Sequence, residues 1–397
     1  MTHLLIAIIY LAFISLGLPD SLLGTAWPVM YGEFGVPVSY AGAVSMLISL
    51  GTVVSSLQSD RLTRRLGTGK VTAISVAMTA AGLWGFSVST SYWMLCLWTI
   101  PYGLGAGSVD AALNNYVALH YASRHMSWLH CMWGIGASIG PYIMGFALSG
   151  GQGWPMGYRY ISMLQIGLAA ILIFSLPLWK NRSRDSGGEN GAGKALTLPR
   201  IVRISGAKEI MTAFFCYCGV ETTTFLWSSS YLVLHRGIAV ERAAGLAALF
   251  YLGMTVGRGI SGFLTMKLSD PQMVRLGLGI ALTGVVVLTL PPAFCRPVGL
   301  MLLGLGYAPI YPCVIHSTPT LFGAENSQAV IGVQMASAYT GSCLMPPVFG
   351  LIARYVTPAL LPAYLAVVLA LTAIMYGKVV KKNLAAPNEN SGKPSTR

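Results

Sequence analysis

The chain has 397 residues, of which 54% are hydrophobic and only 9% are charged. A soluble globular domain carries roughly 25% charged residues, so this composition excludes an ordinary soluble protein. It indicates an all-α membrane protein, because apolar runs of about 20 residues, long enough to cross a bilayer, recur along the chain. The seven cysteines lie in or beside these runs without metal-ligand spacing, so we expect no metal site and no disulfides.

Reading the apolar runs between polar breaks predicts twelve transmembrane helices. They cover residues 4–30, 41–58, 71–89, 93–119, 127–149, 159–179, 209–234, 243–265, 274–291, 298–320, 329–353 and 358–377. The predicted organisation is an N-terminal six-helix bundle (1–180), a cytoplasmic linker (181–208), a C-terminal six-helix bundle (209–380) and a disordered cytoplasmic tail (381–397). Weak similarities in the same order in both halves predict two pseudo-symmetric bundles around a site at the membrane midplane.

Basic residues in the short loops orient the chain. With the N-terminus inside, nineteen of the 25 Lys and Arg residues fall on the cytoplasmic side and five on the outer side. This places both termini in the cytoplasm of a multi-pass protein of the inner or plasma membrane. It also accounts for most of the net charge of +13, so the charge indicates no nucleic-acid partner. Arg258 is left inside span eight, towards its inner end.

Span one contains a carboxylate, Asp20, in an otherwise uncharged apolar run. A charge at the bilayer centre costs about 2.5–3.5 kcal/mol on insertion scales, so such a residue normally faces a cavity or a partner. Residues that loosen helices and allow bending during gating surround it, namely Gly17, Pro19, Gly24 and Pro28. We expect Asp20 to form hydrogen bonds and to exchange protons in a central cavity. Alternatively, it is a structural carboxyl that caps a break in span one.

Between spans two and three the chain reads SLQSDRLTRRLGTGK. This stretch resembles the cytoplasmic Gly-x-x-x-Asp-Arg-x-Gly-Arg-Arg/Lys loop of the major facilitator superfamily. The residues that match it are Asp60, Arg61, Arg64 and Arg65. Ser56 and Thr63 stand where that family usually has glycine.

The resemblance implies that this stretch is a gating loop. An Asp at a helix end can bind a neighbouring helix end and a nearby Arg, which would hold the inward gate shut. The alternative is that the cations only set the topology. The second half has a degraded copy at 262–267, which we expect to lack the acid.

Two more acids, Asp110 in span four and Glu221 in span seven, lie deep within spans. Asp110 and Asn114 are four residues apart and share a helix face, and Asn115 is adjacent. Carboxylates and carboxamides suit the hydroxyl groups of a polyol, whereas polar contacts between helices are the alternative. Because Arg258 alone cannot neutralise three separated acids, one or two of them should be protonated.

Within the superfamily, the motifs resemble those of the fucose–proton symporters and their glucose-carrying relatives. The resemblance rests on Asp20, on the stretch from Asp110 to Asn115, on Gly219 and Glu221 with Trp227 and Tyr231, and on Ala308, Pro309, Tyr311 and Pro312. It implies that the acids of spans one and four serve sugar recognition and proton transfer. At the span-four position these sugar transporters usually carry Glu, whereas this chain has the shorter Asp110.

Aromatic and amide side chains complete the predicted site, since an indole can stack on the apolar face of a sugar. The predicted substrate-binding residues are Trp27, Asn114, Asn115, Trp133, Glu221, Trp227, Tyr311 and Gln334, and the predicted proton-coupling residues are Asp20, Asp110 and Glu221. For each tryptophan, packing is the alternative. His130 is either a proton relay or a structural histidine.

These features predict a secondary transporter that moves a small neutral polar solute, with a monosaccharide as the favoured substrate, in symport with H⁺. Anionic substrates are disfavoured, because no Lys or Arg is predicted at mid-depth apart from the off-centre Arg258. Without a Walker loop or a hydrolase motif, neither a primary pump nor an enzyme is expected. The alternatives are proton-driven efflux of lipophilic or cationic compounds and a non-transporting membrane receptor. We expect a monomer without a cofactor, coupled to H⁺ or alternatively to Na⁺.

Overall fold

The structure, a computed structural model, describes residues 2–20, 22–37, 40–185 and 196–384. These residues form helices and no strand. The helices are α1 (Thr2–Gly17), α2 (Leu22–Glu33), α3 (Tyr40–Leu66), α4 (Thr68–Ser87), α5 (Tyr92–His120), α6 (Ser123–Ser149), α7 (Trp154–Asp185), α8 (Leu198–Arg203), α9 (Ala207–Leu234), α10 (Val240–Leu264), α11 (Asp270–Thr289), α12 (Cys295–Tyr307), α13 (Ile310–Phe322), α14 (Ala324–Tyr355) and α15 (Leu361–Leu384), the last preceded by a 3₁₀ turn (Pro358–Leu360).

Eight stretches of the described residues are long and apolar enough to cross a membrane. They are α1 with α2, α3, α6, α7, α10, α11, α12 with α13, and α15. The remaining long helices, α4, α5, α9 and α14, have between 20 and 32 residues but more polar sequences. Their polar side chains face protein rather than lipid, as the fully buried Asn114 and Gln334 show. A helix enclosed by other helices does not need an apolar surface all round.

Two boundaries of the predicted six-helix bundles differ from the ends of the helices in the structure. Helix α7 continues to Asp185, into the predicted linker, and α15 continues to Leu384, into the predicted disordered tail. The short helix α8 forms within the predicted linker. The rest of the linker prediction, at 186–195, and the rest of the tail prediction, at 385–397, lie outside the described residues.

The helices pack as an N-terminal set, α1 to α7, and a C-terminal set, α9 to α15. Within the first set α5 packs on α3 and α4, and α1 packs on α6; within the second, α9 packs on α14 and α15, and α12 packs on α10 and α11. The two sets meet where α3 contacts α14, where α6 contacts α10, and where α5 contacts α13 and α14. We call the end of the molecule that carries Arg64 and Lys382 the basic end.

The first predicted span is broken at Asp20. Helix α1 ends at Gly17 and α2 begins at Leu22, because Pro19 has no N–H to continue the helical ladder. Gly17 has a different role from the predicted one of loosening the helix. A Cβ atom there would lie 2.1 Å from the carbonyl oxygen of Trp133, so glycine is what allows α1 to touch α6.

We expect Gly17→Ala to destabilise the protein by about 1–3 kcal/mol, the usual cost of overpacking against a neighbour that cannot move aside. The clashing atom belongs to the α6 backbone, so α1 must shift and Asp20 moves with it. Thermal unfolding in detergent measures the effect. Gly24→Ala is the matched control, because its Cβ atom would meet nothing within 4 Å. Equal melting temperatures for the two variants would contradict this account of the α1–α6 contact.

Candidate functional site

A cavity of about 470 Å³ lies between the two sets of helices. Its wall includes Asp20 and Asp110 from the N-terminal set and Glu221 from the C-terminal set. Trp133 and Tyr311 also line it. The acids, separated by up to 201 positions in the sequence, therefore share a single void.

Asp110 is held by donors from both sets of helices. The hydroxyl of Tyr339 on α14 donates to its Oδ2 at 2.8 Å, and the amide of Asn114 donates to its Oδ1 at 2.8 Å. Oδ1 of Asn114 in turn lies 3.1 Å from Nε2 of His130 on α6. Asp110 is thus linked, directly or through Asn114, to residues of α5, α6 and α14.

Asp20 and Glu221 are linked through two side chains. The indole N–H of Trp133 donates to Oδ2 of Asp20 at 2.8 Å. The guanidinium carbon of Arg258 lies 5.2 Å from the centre of the Trp133 ring, within cation–π range. Nη2 of Arg258 lies 3.6 Å from Oε1 of Glu221. This second chain of contacts also crosses between the sets.

Arg258, which the sequence predicts towards the inner end of span eight, contributes its side chain to the wall of the central cavity. Arg258 lies six residues before the end of α10, yet its side chain lines the central cavity. The reason is geometric: side chains on a helix lean towards its N-terminus, and α10 begins at the end of the molecule opposite the basic end. The long side chain therefore reaches back from the last turns of α10 to the cavity.

Five predicted substrate-binding residues do not line the cavity, namely Trp27, Asn114, Asn115, Trp227 and Gln334. Trp27 packs against the ring of Tyr92, and the indole of Trp227 donates to the carbonyl of Pro346. Asn115 accepts from Ser327 at 2.6 Å, and Gln334 accepts from Thr318 at 3.1 Å, so both amides serve helix contacts. Asn114 does not line the cavity, but it donates a hydrogen bond to Asp110, which does.

Other lining residues are not singled out by the sequence. The largest are Tyr339 and Tyr102, and the small polar ones are Ser49, Thr52, Thr222 and Ser342. The available signal for Tyr339 was an isolated aromatic residue within the small residues at 338–342 of α14. Nothing in the pattern of α3 distinguishes Ser49 and Thr52 from the other polar residues of that helix.

The predicted gating loop forms the last turns of α3 rather than a loop. Oδ1 of Asp60 accepts from Nε of Arg64 at 2.8 Å, and Arg64 donates through Nη2 to the backbone carbonyl of Glu325 on α14 at 2.9 Å. Arg61 and Arg65 are exposed. Arg64 therefore connects the N-terminal and C-terminal sets of helices at the basic end.

The replacement of the family glycine by Ser56 is compensated on the facing helix. Gly332 on α14 approaches so closely that a Cβ atom there would lie 2.6 Å from the carbonyl oxygen of Ser56. Next to this contact, the amide of Gln328 donates to Ser59 at 2.8 Å. Ser56 stands where the family usually has glycine, and the glycine at this helix contact is Gly332 on α14.

The degraded copy at 262–267 has no acid, but an acid follows it three residues later, at Asp270. Asp270, the first residue of α11, accepts from Ser123 of α6 at 2.5 Å. Its other oxygen lies 2.6 Å from Nδ1 of His316, and Nε2 of that ring lies 3.0 Å from the carbonyl oxygen of Tyr121. The basic end is closed by two such clusters.

We expect Arg64→Gln to loosen the basic end. A hydrogen bond from a charged group contributes about 1.5–3 kcal/mol, so its loss should raise the population of the opened state about tenfold or more. Cys131 reports opening, because its Sγ lies on the contact between α6 and α10, 4.0 Å from the carbonyl of Thr255. Its alkylation rate, followed by site-resolved mass spectrometry, should rise.

The control for that experiment is Arg61→Gln, which removes an exposed arginine from the same end of α3. It should leave the alkylation rate of Cys131 unchanged. Equal rates in the wild type and in both variants would show that Arg64 does not hold the two sets of helices together.

Known proteins resemble this chain over most of its length. The uncharacterised transporter y4wD of Sinorhizobium fredii is 26% identical over 366 residues, covering 89% of this chain and 93% of the relative. Among solved structures, the fucose:proton symporter FucP of E. coli in its outward conformation has a TM-score of 0.73 at 16% identity, covering 94% of this chain and 98% of FucP. The human organic anion transporter MFSD10 has a TM-score of 0.75 at 13% identity, with the same coverage of both chains.

At these identities the solved structures establish the fold alone. The sequence model of the Major Facilitator Superfamily matches residues 9–344. Members of that family are multi-pass membrane transporters and not enzymes. This chain, with its two sets of helices around a central cavity, belongs to the Major Facilitator Superfamily.

Proposed function

We propose that this transporter moves a monosaccharide in symport with H⁺, with Asp20, Asp110 and Glu221 as the groups that exchange protons. The observation that carries the proposal is that acids from both sets of helices line one cavity together with hydroxyl and aromatic side chains. Carboxyl and hydroxyl groups bond the hydroxyls of a sugar, and an indole or phenol ring covers its apolar face. FucP, a fucose:proton symporter with the same fold, supports the proposal.

The proposed topology has twelve spans, with α4, α5, α9 and α14 crossing in addition to the eight apolar stretches. Both termini lie in the cytoplasm, so the basic end faces inwards, as the distribution of Lys and Arg requires. The protein resides in the inner or plasma membrane and works as a monomer. It needs no cofactor besides its coupling ion, which is H⁺ in this proposal, with Na⁺ as the alternative.

With this orientation, the structure is closed towards the cytoplasm. The contacts of Arg64, Gln328 and Asp270 between the two sets all lie at the basic end. Transport then requires the sets to rock so that these contacts break while the opposite end closes. Tyr339 joins α14 to Asp110 by a hydrogen bond. Protonation of that carboxyl would therefore change a contact between the two sets of helices.

We expect Asp110→Asn to abolish sugar accumulation driven by a pH gradient in proteoliposomes, because an amide cannot carry the proton. Counterflow of labelled sugar, which needs no net proton movement, should survive, since an amide can still bond Asn114 or Tyr339. The control is Glu209→Gln, which removes a carboxylate paired with Lys382 at the basic end, away from the cavity. Accumulation by Asp110→Asn at the wild-type level would exclude Asp110 as a proton carrier.

A second candidate function is efflux of lipophilic or cationic compounds. A depression of about 700 Å³ between α3 and α14 is lined mostly by apolar residues, and it shares Ser49 and Tyr339 with the central cavity. An amphiphilic compound could place its apolar part there and its charge near the acids.

A thermal-shift panel separates these two functions. If the transporter carries sugars, monosaccharides at millimolar concentration stabilise the purified protein and hydrophobic cations do not. A ligand that binds only the folded state stabilises it by an amount that grows with the ratio of ligand concentration to Kd. Stabilisation by hydrophobic cations alone would favour efflux and would contradict the sugar proposal.

A further inference from the structure

We propose that the sugar carries a carboxylate, which binds to the guanidinium of Arg258. This inference rests on the proposed function, because it names the substrate class of the same cavity. A sugar acid, such as a uronate, is the chemical class meant. It replaces the neutral solute expected from the sequence, which depended on the absence of a cation at mid-depth apart from the off-centre Arg258.

Arg258 is buried and has unused hydrogen-bonding capacity. Its side chain is only 5% exposed and lines the cavity, and its Nε has no hydrogen-bond partner among the described residues. A guanidinium carries five N–H donors in a planar fork, and burying such donors without partners is costly. A ligand that supplies two acceptor oxygens would remove this cost.

The contact with Glu221 does not satisfy the guanidinium. The distance of 3.6 Å between Nη2 and Oε1 exceeds the roughly 2.7–2.9 Å of a charge-assisted hydrogen bond. Glu221 is itself about one-fifth exposed to the cavity. The pair is therefore a loose one, into which a better-placed carboxylate can insert.

Trp133 fixes the direction in which Arg258 presents its donors. The guanidinium carbon lies over the Trp133 ring, 5.2 Å from the ring centre. A guanidinium stacked on an aromatic face keeps the N–H donors of its edge for other partners. Bidentate binding of a carboxylate uses this edge. The indole N–H is already bonded to Asp20 and does not compete for the ligand.

The other charged groups around the cavity set a condition for anion binding. Asp20, Asp110 and Glu221 face Arg258 from the other helices, together with the imidazole of His130. With all three acids ionised, the cavity carries an excess of negative charge and repels an anion. Protons bound together with the substrate remove this excess, which is what the proposed symport supplies.

The neutral groups at the cavity suit the rest of a sugar acid. Thr52, Thr222 and Ser342 offer hydroxyls, and Tyr102, Tyr311 and Tyr339 offer phenols. Thr52, Thr222 and Ser342 already donate to backbone carbonyls, and Tyr339 donates to Asp110, so their oxygens remain as acceptors. The hydroxyls of a sugar acid can donate to these oxygens, whereas a simple carboxylate has no hydroxyl to do so. The arrangement therefore fits a polyhydroxylated acid better than either a neutral sugar or a plain organic anion.

The test compares sugars that differ only at C6: glucose with glucuronate, and galactose with galacturonate. Binding to the purified full-length protein is measured by calorimetry at one pH. We expect the wild type to bind each uronate more tightly than its neutral partner. In Arg258→Gln, the ratio of uronate affinity to neutral-sugar affinity should fall by more than about tenfold, because a buried charge pair has lost one partner.

Two further variants keep the test decisive if Arg258→Gln folds poorly. Glu221→Gln removes the competing carboxylate and should raise the affinity ratio. Arg258→Lys keeps the charge without the fork and should give an intermediate ratio. The matched control is Arg159→Gln, which removes an arginine that also stacks on a tryptophan, Trp84 at 5.7 Å, but lies outside the cavity wall. It should leave the ratio unchanged.

Tighter binding of the neutral sugars to the wild type, or an unchanged ratio in both Arg258 variants, would overturn the inference while leaving the proposed function intact. Absence of binding of all four sugars to a folded wild-type protein would overturn the proposed function and the inference together.

Discussion

The structure depends on how three carboxyl groups are accommodated inside a membrane protein. Each charge at the bilayer centre costs about 2.5–3.5 kcal/mol on insertion scales, and the cost is lower where water or a donor is at hand. Here Asp20, Asp110 and Glu221 meet at one cavity between the two sets of helices. Trp133, Asn114 and Tyr339 donate to two of them, and Arg258 lies beside the third.

These partners come from both sets, so the binding site and the moving parts are the same structure. Asp110 is bonded by Asn114 in its own helix and by Tyr339 on the opposite set. The Trp133–Arg258 contact crosses between the sets a second time. Any change in the charge of a carboxyl changes the contacts between the sets, and this is the physical basis on which ion binding can be linked to rocking. Below the cavity, the clusters of Arg64 and Asp270 close the basic end.

The fold and the three acids could be predicted because both signals are strong. Long apolar runs leave little choice but a helical membrane protein, and a carboxylate within such a run requires a polar environment. The amides could not be assigned in this way. Asn115 and Gln334 are as useful for joining helices as for binding a sugar, and the structure uses them for joining. Tryptophans are equally ambiguous, since Trp133 lines the cavity and Trp27 packs elsewhere.

Arg258 and Asp270 show where reading along the chain loses information about depth and neighbours. The first was placed by its backbone position, although a long side chain can carry its charge more than a helical turn towards the helix N-terminus. The second follows a degraded motif by a few residues, and only the packing of α11 against the opposite set reveals that it contacts Ser123.

The central claim is that sugar and protons bind to the same cavity and depend on each other. The most direct measurement is the number of protons taken up when sugar is added to the purified protein in a weakly buffered solution, followed with a pH indicator. The account predicts net proton uptake that saturates together with sugar binding. Saturable sugar binding without any proton uptake, at every pH where the sugar binds, would contradict it.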